Sequence, residues 1–134
     1  MQRIRVSSGS PFEKRYGYSR AIRIGTRVLV GGTAPVWPDG SCDPDPAVQA
    51  ARCLEIIGVA LGDVGARPDQ VVRTRIFIAE REYRDEVGEA HARFFGDAMP
   101  VATMVVAALI DPRWKVEIEA EADLGGAERE VRAP

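Results

Sequence analysis

The sequence is poor in the residues that bind metals or form disulfides. Its 134 residues include two cysteines, Cys42 and Cys53, and a single histidine, His91. Two cysteines without CxxC spacing, beside one histidine, supply neither a zinc-ligand set nor a disulfide framework. We therefore expect no metal site, and each thiol is expected to be a small core or surface residue.

An excess of charge of one sign is lacking as well. Eighteen Lys and Arg residues are balanced by 20 Asp and Glu, for a formal net charge of -2, and the basic residues are scattered. Nucleic-acid binding requires clustered positive charge, so we expect no nucleic-acid partner. No apolar run approaches the roughly 20 residues that span a bilayer, and no signal peptide is visible. These absences predict a cytoplasmic protein with no membrane partner.

The residues that are present predict one α+β domain over 1–134, with a flexible tail from about 125. Two strands flank a Gly25-Thr26 turn, and Asp45 with Pro46 begins a helix that stops near Gly65. The predicted order is strand, strand, helix, strand, helix, strand, strand, which favours a mixed sheet with two helices on one face. The elements after the hairpin are a helix from 46, a strand at 71–78, a helix at 83–94, a strand at 101–109 and a strand at 115–122. The run at 101–109 is almost entirely apolar, which predicts a buried central strand.

The last strand alternates apolar residues with Glu117, Glu119 and Glu121. One strand face therefore carries a row of carboxylates, which repel one another and resist dehydration. The row is either a solvated sheet face or the wall of a cleft in which one acid does chemistry. The pattern alone does not distinguish the three acids.

Three other features have a structural and a functional interpretation. Gly31 and Gly32 end the second strand, which favours a bulge or bend over a close approach to a ligand. The side chains of Arg73 and Arg75 are expected to be solvated. His91, which has no partner cluster, is expected to pack or to lie at the surface.

Several segments together resemble the YjgF/Rid family of reactive-intermediate (imine and enamine) deaminases, which is also described as L-PSP endoribonuclease-like. The resemblance extends from about Ser8 to Ala122, and its pieces follow one another with compatible spacing. They are Tyr18, VGGTAP at 30–35, the helix from Pro46, RTRIFI at 73–78, Phe94 with Phe95, and VEIEA at 116–120.

The resemblance implies a chorismate-mutase-like fold and a homotrimer with clefts between neighbouring subunits. In active relatives, water attacks an imine or enamine and ammonia leaves, without metal or organic cofactor. By position, Tyr18 matches an aromatic residue that packs against the ligand, and the backbone of Gly32, Thr33 and Ala34 matches a lining of the cleft. Glu117 matches the acid that holds or activates the water, while Glu119 and Glu121 are left as structural or solvated residues.

The sequence departs from this family at the substrate-carboxylate contact. Ala102 stands where active deaminases carry an arginine, Met104 where a cysteine is usual, and Gly88 where a cleft asparagine is found. Losing the arginine is expected to weaken binding of 2-imino acids by roughly two to three decades. A cleft lined by Tyr18, Ala102 and Met104 favours a less charged ligand. The basic residues that could substitute are Arg20, Arg73, Arg75 and Arg113.

These residues predict a Rid-like hydrolase or deaminase of a small imine, enamine or related metabolite, with Glu117 positioning water. The alternative is a non-catalytic trimer that binds a small molecule, which explains the missing arginine more simply. Ribonuclease activity or translation inhibition is disfavoured by the acidic charge balance.

Overall fold

A six-stranded mixed sheet with two long helices on one face forms the protein, in the strand order β1-β2-β3-β6-β4-β5. The computed structural model describes residues 2–133. Neighbouring strands are antiparallel except β4 and β5, which are parallel. The elements are β1 (Arg3–Val6), α1 (Pro11–Tyr16), β2 (Ala21–Ile24), β3 (Arg27–Thr33), α2 (Pro46–Asp63), β4 (Val71–Ile78), α3 (Arg84–Phe95), β5 (Val101–Val106) and β6 (Val116–Asp123). The predicted mixed sheet with two helices on one face is confirmed.

The boundaries of α2 follow from its capping residues. The Asp45 carboxylate accepts hydrogen bonds from the backbone N–H groups of Ala47 and Val48, at 2.8 and 3.2 Å. Pro46 occupies the first turn, where its missing N–H costs nothing. Beyond Asp63 the chain turns at Gly65, whose φ of 79° is in the left-handed region. The predicted start and stop of this helix are confirmed.

The core lies between the sheet and the two helices. One residue in two along β6 is buried against α2, and the same alternation continues on β3 and β4. This buried face consists of Val28, Val30, Thr74, Ile76, Ile78, Val116, Ile118, Ala120 and Ala122, and α2 contributes Leu54, Ile57 and Leu61. Burying each large aliphatic side chain contributes about 1.5–3 kcal/mol. The core therefore fixes which face of β6 carries its glutamates.

A side-chain contact joins α3 to β4. The hydroxyl oxygen of Thr74, which is fully buried, lies 2.8 Å from Nε2 of His91. Burial lowers the pKa of His91, and the ring also packs against Phe95 at a centroid distance of 4.6 Å. His91 therefore packs within the structure as a neutral side chain at pH 7.

Two N-terminal elements, β1 and α1, lie outside the predicted order. Residues 7–10 form the expected loop, but Ser10 then caps a helix by accepting from the N–H of Phe12 at 3.3 Å. Gly17, with φ of 77°, ends this helix after six residues. Such short elements have no hydrophobic period to reveal them.

The prediction of a buried central strand at 101–109 is wrong. The strand ends at Val106, lies at the edge of the sheet beside β4, and is exposed along most of its length. Val101, Val105 and Val106 are 62%, 43% and 54% exposed. An apolar sequence predicts that a segment favours burial. It does not show whether residues of the same chain or of another chain bury it.

The sheet face opposite α2 and α3 carries the glutamates of β6. The neighbouring strand β4 places three residues on the same face. They are Arg73, Arg75 and Phe77, which pair with Glu121, Glu119 and Glu117, respectively. Leu29 of β3 shares this face and is 43% exposed. We call this side of the sheet the open face. Over residues 2–133, no helix is long and apolar enough to cross a membrane.

Candidate functional site

The structure distinguishes the three acids of β6. The guanidinium of Arg75 donates to Glu119 at 3.0 Å and approaches Glu121 at 3.4 Å. Arg27 also donates to Glu121, at 3.1 Å. Within the described part of the chain, no ion pair or hydrogen bond reaches the carboxylate of Glu117. Of the three acids, Glu117 is therefore the one whose carboxylate oxygens are available to a ligand or water.

The surroundings of Glu117 make it more basic than an ordinary glutamate. Burial raises its pKa, the positive charge of Arg20 opposes this rise, and the negative charge of Glu119 adds to it. Its cross-strand neighbour on β4 is Phe77, an apolar side chain that cannot hydrogen-bond to it. A partly buried carboxylate with a raised pKa is suited to accept a proton from water.

A β-bulge brings the backbone of β3 against this carboxylate. The pairing of β3 with β6 shifts register between Val30 and Thr33, and the hydroxyl of Thr33 donates to the carbonyl of Gly31 at 2.8 Å. A Cβ on Gly32 would lie 2.6 Å from Oε2 of Glu117, closer than atoms pack. The predicted bulge is present, and the close approach that a glycine permits is to the Glu117 side chain.

Arg20, the residue immediately before β2, holds this bulge through its side chain. Its Nη2 donates to the carbonyl oxygens of Gly31 and Gly32, both at 2.7 Å. Of the four arginines that the sequence offered as substitutes for the missing one, it is the one whose charge acts on Glu117. Arg75 is bound to the other acids, Arg113 binds Asp111 and the carbonyl of Gly40, and Arg73 is exposed.

The hairpin register could have revealed the position of Arg20. The turn at Gly25 and Thr26 pairs Ala21 with Val30, and one step further it places Arg20 opposite Gly31. The backbone N–H of Gly31 does donate to the carbonyl of Arg20, at 3.1 Å. An arginine one residue before a predicted strand and opposite a glycine pair is a signal that the sequence contained.

The other site residues predicted near Glu117 differ in how deeply they are buried. Tyr18 is about half exposed and lies two residues before Arg20 in the chain. Thr33 is fully buried and Ala34 is partly buried. Since the Thr33 side chain faces the core, only its backbone can line a site beside Glu117.

Ala102 and Met104 do not meet Glu117 within one chain. They pair with Thr74 and Ile76, so they lie on the helix side of the sheet, whereas Glu117 lies on the open face. Met104 instead lines a shallow groove of about 330 Å³ against α3. The other residues of the groove are Arg84, Asp85, Gly88 and Glu89. Arg84 is a cation beside Met104 that the sequence analysis did not single out.

Neither cysteine is a good nucleophile in this structure. Burial raises the pKa of both the Cys53 and the Cys42 thiol, which disfavours the thiolate. Residues 2–133 contain no group of three or more His, Cys, Asp or Glu side chains that could hold a metal ion.

The fold and this site define a small α+β protein in which an unpaired carboxylate lies against a backbone bulge on an open sheet face. The profile of the family described as Endoribonuclease L-PSP matches residues 10–124. The chain belongs to this family, which includes the YjgF proteins.

Solved structures and relatives agree with this assignment. A crystal structure of a member of the YjgF/YER057c/UK114 family from Mycobacterium tuberculosis is 47% identical, with a TM-score of 0.84, over 91% of this chain and 99% of that one. An uncharacterized protein from Streptomyces coelicolor is 37% identical over 92% of this chain and 94% of its own. The 2-iminobutanoate/2-iminopropanoate deaminase of Salmonella typhimurium is 27% identical over 77% and 84%.

Proposed function

We propose that the protein hydrolyses a small imine, enamine or related metabolite, with Glu117 positioning the attacking water. The observation that carries this proposal is the contrast along β6, where Glu119 and Glu121 are ion-paired and Glu117 is not. The raised pKa of Glu117 supports a role in proton transfer. Relatives named 2-iminobutanoate/2-iminopropanoate deaminase support the choice of this reaction class for the proposal.

The reaction balances with groups that the chain supplies. Water adds its oxygen to the imine carbon as its proton passes to the Glu117 carboxylate, and the electron pair of the C=N bond moves to nitrogen. Glu117 then returns this proton to the nitrogen, which gives a carbinolamine. The carboxylate next takes the hydroxyl proton and passes it to the nitrogen as the C=O bond forms and the C–N bond breaks, so that ammonia and a carbonyl compound leave. A single carboxylate can serve as base and then as acid, and backbone N–H groups near the bulge would polarise the substrate.

We further propose that the site is completed by a second copy of the chain, in a homotrimer. Glu117, Tyr18 and the bulge are on one side of the chain, whereas Ala102 and Met104 are on the opposite face of the sheet. The two groups would meet only if they came from different subunits. The exposed valines of β5 and the exposed Leu29 of the open face support such an association, because apolar surface of this kind is usually covered in an assembly.

Self-association gives the first test of this assembly. Light scattering should find a mass of about 44 kDa, three times the 14.6 kDa chain. The substitution Val105→Glu, on the edge strand β5, should yield monomers because assembly would then bury a charge in the interface. Val59→Glu, on the exposed side of α2, is the matched control and should leave the mass unchanged. A monomeric wild-type chain at micromolar concentration would contradict both the trimer and the cleft between subunits.

The groove around Met104 supports a substrate without a free carboxylate. Ala102 offers no cation, and the guanidinium of Arg84 is flanked by Asp85 and Glu89, so the groove carries net negative charge. A carboxylate entering it would meet two like charges for one opposite charge. We therefore expect neutral or cationic imines to be preferred over 2-imino acids.

Rates with two kinds of imine test the proposed activity. An amino-acid oxidase supplies 2-imino acids and an amine oxidase supplies imines without a carboxylate, and trapping with semicarbazide reports the imine that remains. The protein should hydrolyse the carboxylate-free imine faster, and Ala102→Arg should improve kcat/KM for 2-imino acids, by up to roughly two decades. Equal decay of both imines with and without the protein would refute the proposal for these substrates.

A non-catalytic binding trimer is the second candidate, favoured by the same Ala102. A ligand that binds only the folded state raises its melting temperature. A metabolite that raises the melting temperature of the protein and is recovered unchanged would support this candidate over hydrolysis. We propose no ribonuclease activity. Of the open-face arginines at positions 27, 73 and 75, two are paired with glutamates, and the third alone does not make a basic patch.

A further inference from the structure

Arg20 donates to the bulge of β3, and the carboxylate of Glu117 packs against the same bulge. We propose that Arg20 is a positioning residue, which fixes the backbone at Gly31 and Gly32 and supplies the positive charge that faces Glu117. This inference rests on the proposed function for its catalytic meaning, but its physical content can be measured without turnover.

The hydrogen bonds of Arg20 fix the part of the backbone that touches Glu117. One nitrogen, Nη2, bridges the carbonyl oxygens of Gly31 and Gly32, each at 2.7 Å. These two carbonyls belong to the peptide planes on either side of the Gly32 Cα, and a Cβ on that atom would lie 2.6 Å from Oε2 of Glu117. Because glycine is otherwise free to turn, a charged donor shared by both planes holds the bulge in one conformation.

Burying the guanidinium of Arg20 costs free energy, which its interactions must offset. Its Nε is buried and has no partner among the residues that the structure describes. Burial lowers the pKa of Arg20, and the negative charge of Glu13 opposes this more than any other group does. Glu13 is itself held by the Ser7 hydroxyl at 2.9 Å and by the backbone N–H of Ser8 at 3.1 Å. A buried donor left without a partner is rare in native structures.

The charged groups around Glu117 leave Arg20 as its opposing cation. Glu119, on the same strand, repels the Glu117 carboxylate, and the facing residues Phe77 of β4 and Gly32 of β3 carry no charge. Cys53 lies behind it on α2 as a neutral thiol. Arg75 is engaged by Glu119 and Glu121. Without Arg20, burial and Glu119 would both raise the pKa of Glu117 and nothing in this set would oppose them.

Three variants separate the charge of Arg20 from its hydrogen bonds. Arg20→Gln removes the charge and keeps a donor for one carbonyl, whereas Arg20→Lys keeps the charge and removes the planar fork. Arg23→Gln is the matched control, because Arg23 also donates to two backbone carbonyls, of Gly25 at 2.7 Å and Val64 at 2.5 Å. Arg23 lies on β2, three residues after Arg20, and pairs with the buried Val28, away from Glu117.

The titration of Glu117 is the direct readout. With carbon-13-labelled glutamate, the Glu117 side-chain signal, assigned from its loss in Glu117→Gln, is followed against pH. Its midpoint should rise in Arg20→Gln and remain at the wild-type value in Arg20→Lys and Arg23→Gln. In an active enzyme, the acidic limb of kcat/KM should move to higher pH in Arg20→Gln alone, with about tenfold less activity on that limb for each unit by which the midpoint rises.

The outcomes distinguish this inference from the proposed function. An unchanged midpoint in Arg20→Gln would overturn the role of Arg20, whatever the activity of the protein. A raised midpoint in a protein with no imine hydrolysis would support the inference and refute the function. If Arg20→Gln does not fold, Arg20→Lys decides, since a midpoint raised in that variant would show that the charge is not what matters.

Discussion

Glu117→Gln is expected to lower kcat for imine hydrolysis by about 10²–10⁴-fold, the range found when a positioned acid-base group is removed. Glutamine keeps the size of the side chain and can still hydrogen-bond to water, but it cannot accept the proton that water must lose. KM should change little because the shape of the site is preserved. Steady-state kinetics on the carboxylate-free imine measure both constants.

The same substitution is expected to stabilise the folded chain at neutral pH. Burial raises the pKa of Glu117 above its ordinary value of 4.5, so the protonated form is favoured in the folded state. The stability that this provides is fully present below the unfolded pKa and is lost as pH rises through the folded pKa. Glutamine stays neutral throughout. Melting temperatures of the two proteins should therefore agree at low pH, separate as pH rises from the unfolded to the folded pKa, and stay apart above it, with the variant higher.

Glu119→Gln is the matched control for both effects. It removes a carboxylate of the same row, but one that is ion-paired with Arg75 and partly exposed. Such pairs contribute about 0–1 kcal/mol, so this variant should be slightly less stable. It should keep most of its activity. Equal loss of activity in both variants would mean that the row as a whole, and not Glu117, is needed.

Gly32→Ala is expected to reduce kcat/KM by about 10–100-fold while the protein stays folded. A methyl group at this position would lie 2.6 Å from Oε2 of Glu117, so the carboxylate must move away from it. Displacing a reacting group by about 1 Å can cost 100-fold in rate. Gly32 is solvent-exposed and its φ is not in the left-handed region, so alanine strains neither the core nor the backbone.

Gly31→Ala tests whether the effect comes from this contact or from the bulge itself. Its added Cβ would lie 3.5 Å from Nη2 of Arg20, an ordinary van der Waals distance. Activity should stay within a few-fold of wild type, and circular dichroism should show both variants folded. Similar losses at Gly31 and Gly32 would point to stiffening of the bulge instead of displacement of the acid.

The parts of the fold that could be predicted from sequence are those set by local patterns. The hairpin followed from a turn between two short apolar runs, α2 from Asp45 and Pro46, and β6 from strict alternation. β5 was misplaced because burial depends on what lies beside a strand, and β4 brings to it residues about 30 positions away along the chain. β1 was missed because its four residues gain their stability from pairing with β2.

Only part of the candidate site can be predicted from the sequence, because the rest depends on contacts between residues far apart in the chain. Spacing gave three equivalent acids, and only the family resemblance singled out Glu117. The structural difference among them depends on Arg75 and Arg27, which are 44 and 94 residues from the acids they bind. Pairings at that distance require the strand order β3-β6-β4, which periodicity alone does not contain.

Because the two groups of site residues lie on opposite faces of the sheet, a chain substituted on both faces would affect more than one cleft of the proposed trimer. In the proposed trimer each chain gives its bulge and Glu117 to one cleft, and its β5 and α3 groove to the next. A chain altered on one side would disable one cleft, whereas a chain altered on both sides would disable two of the three. Mixed with normal chains, a doubly altered copy would thus act as a dominant inhibitor.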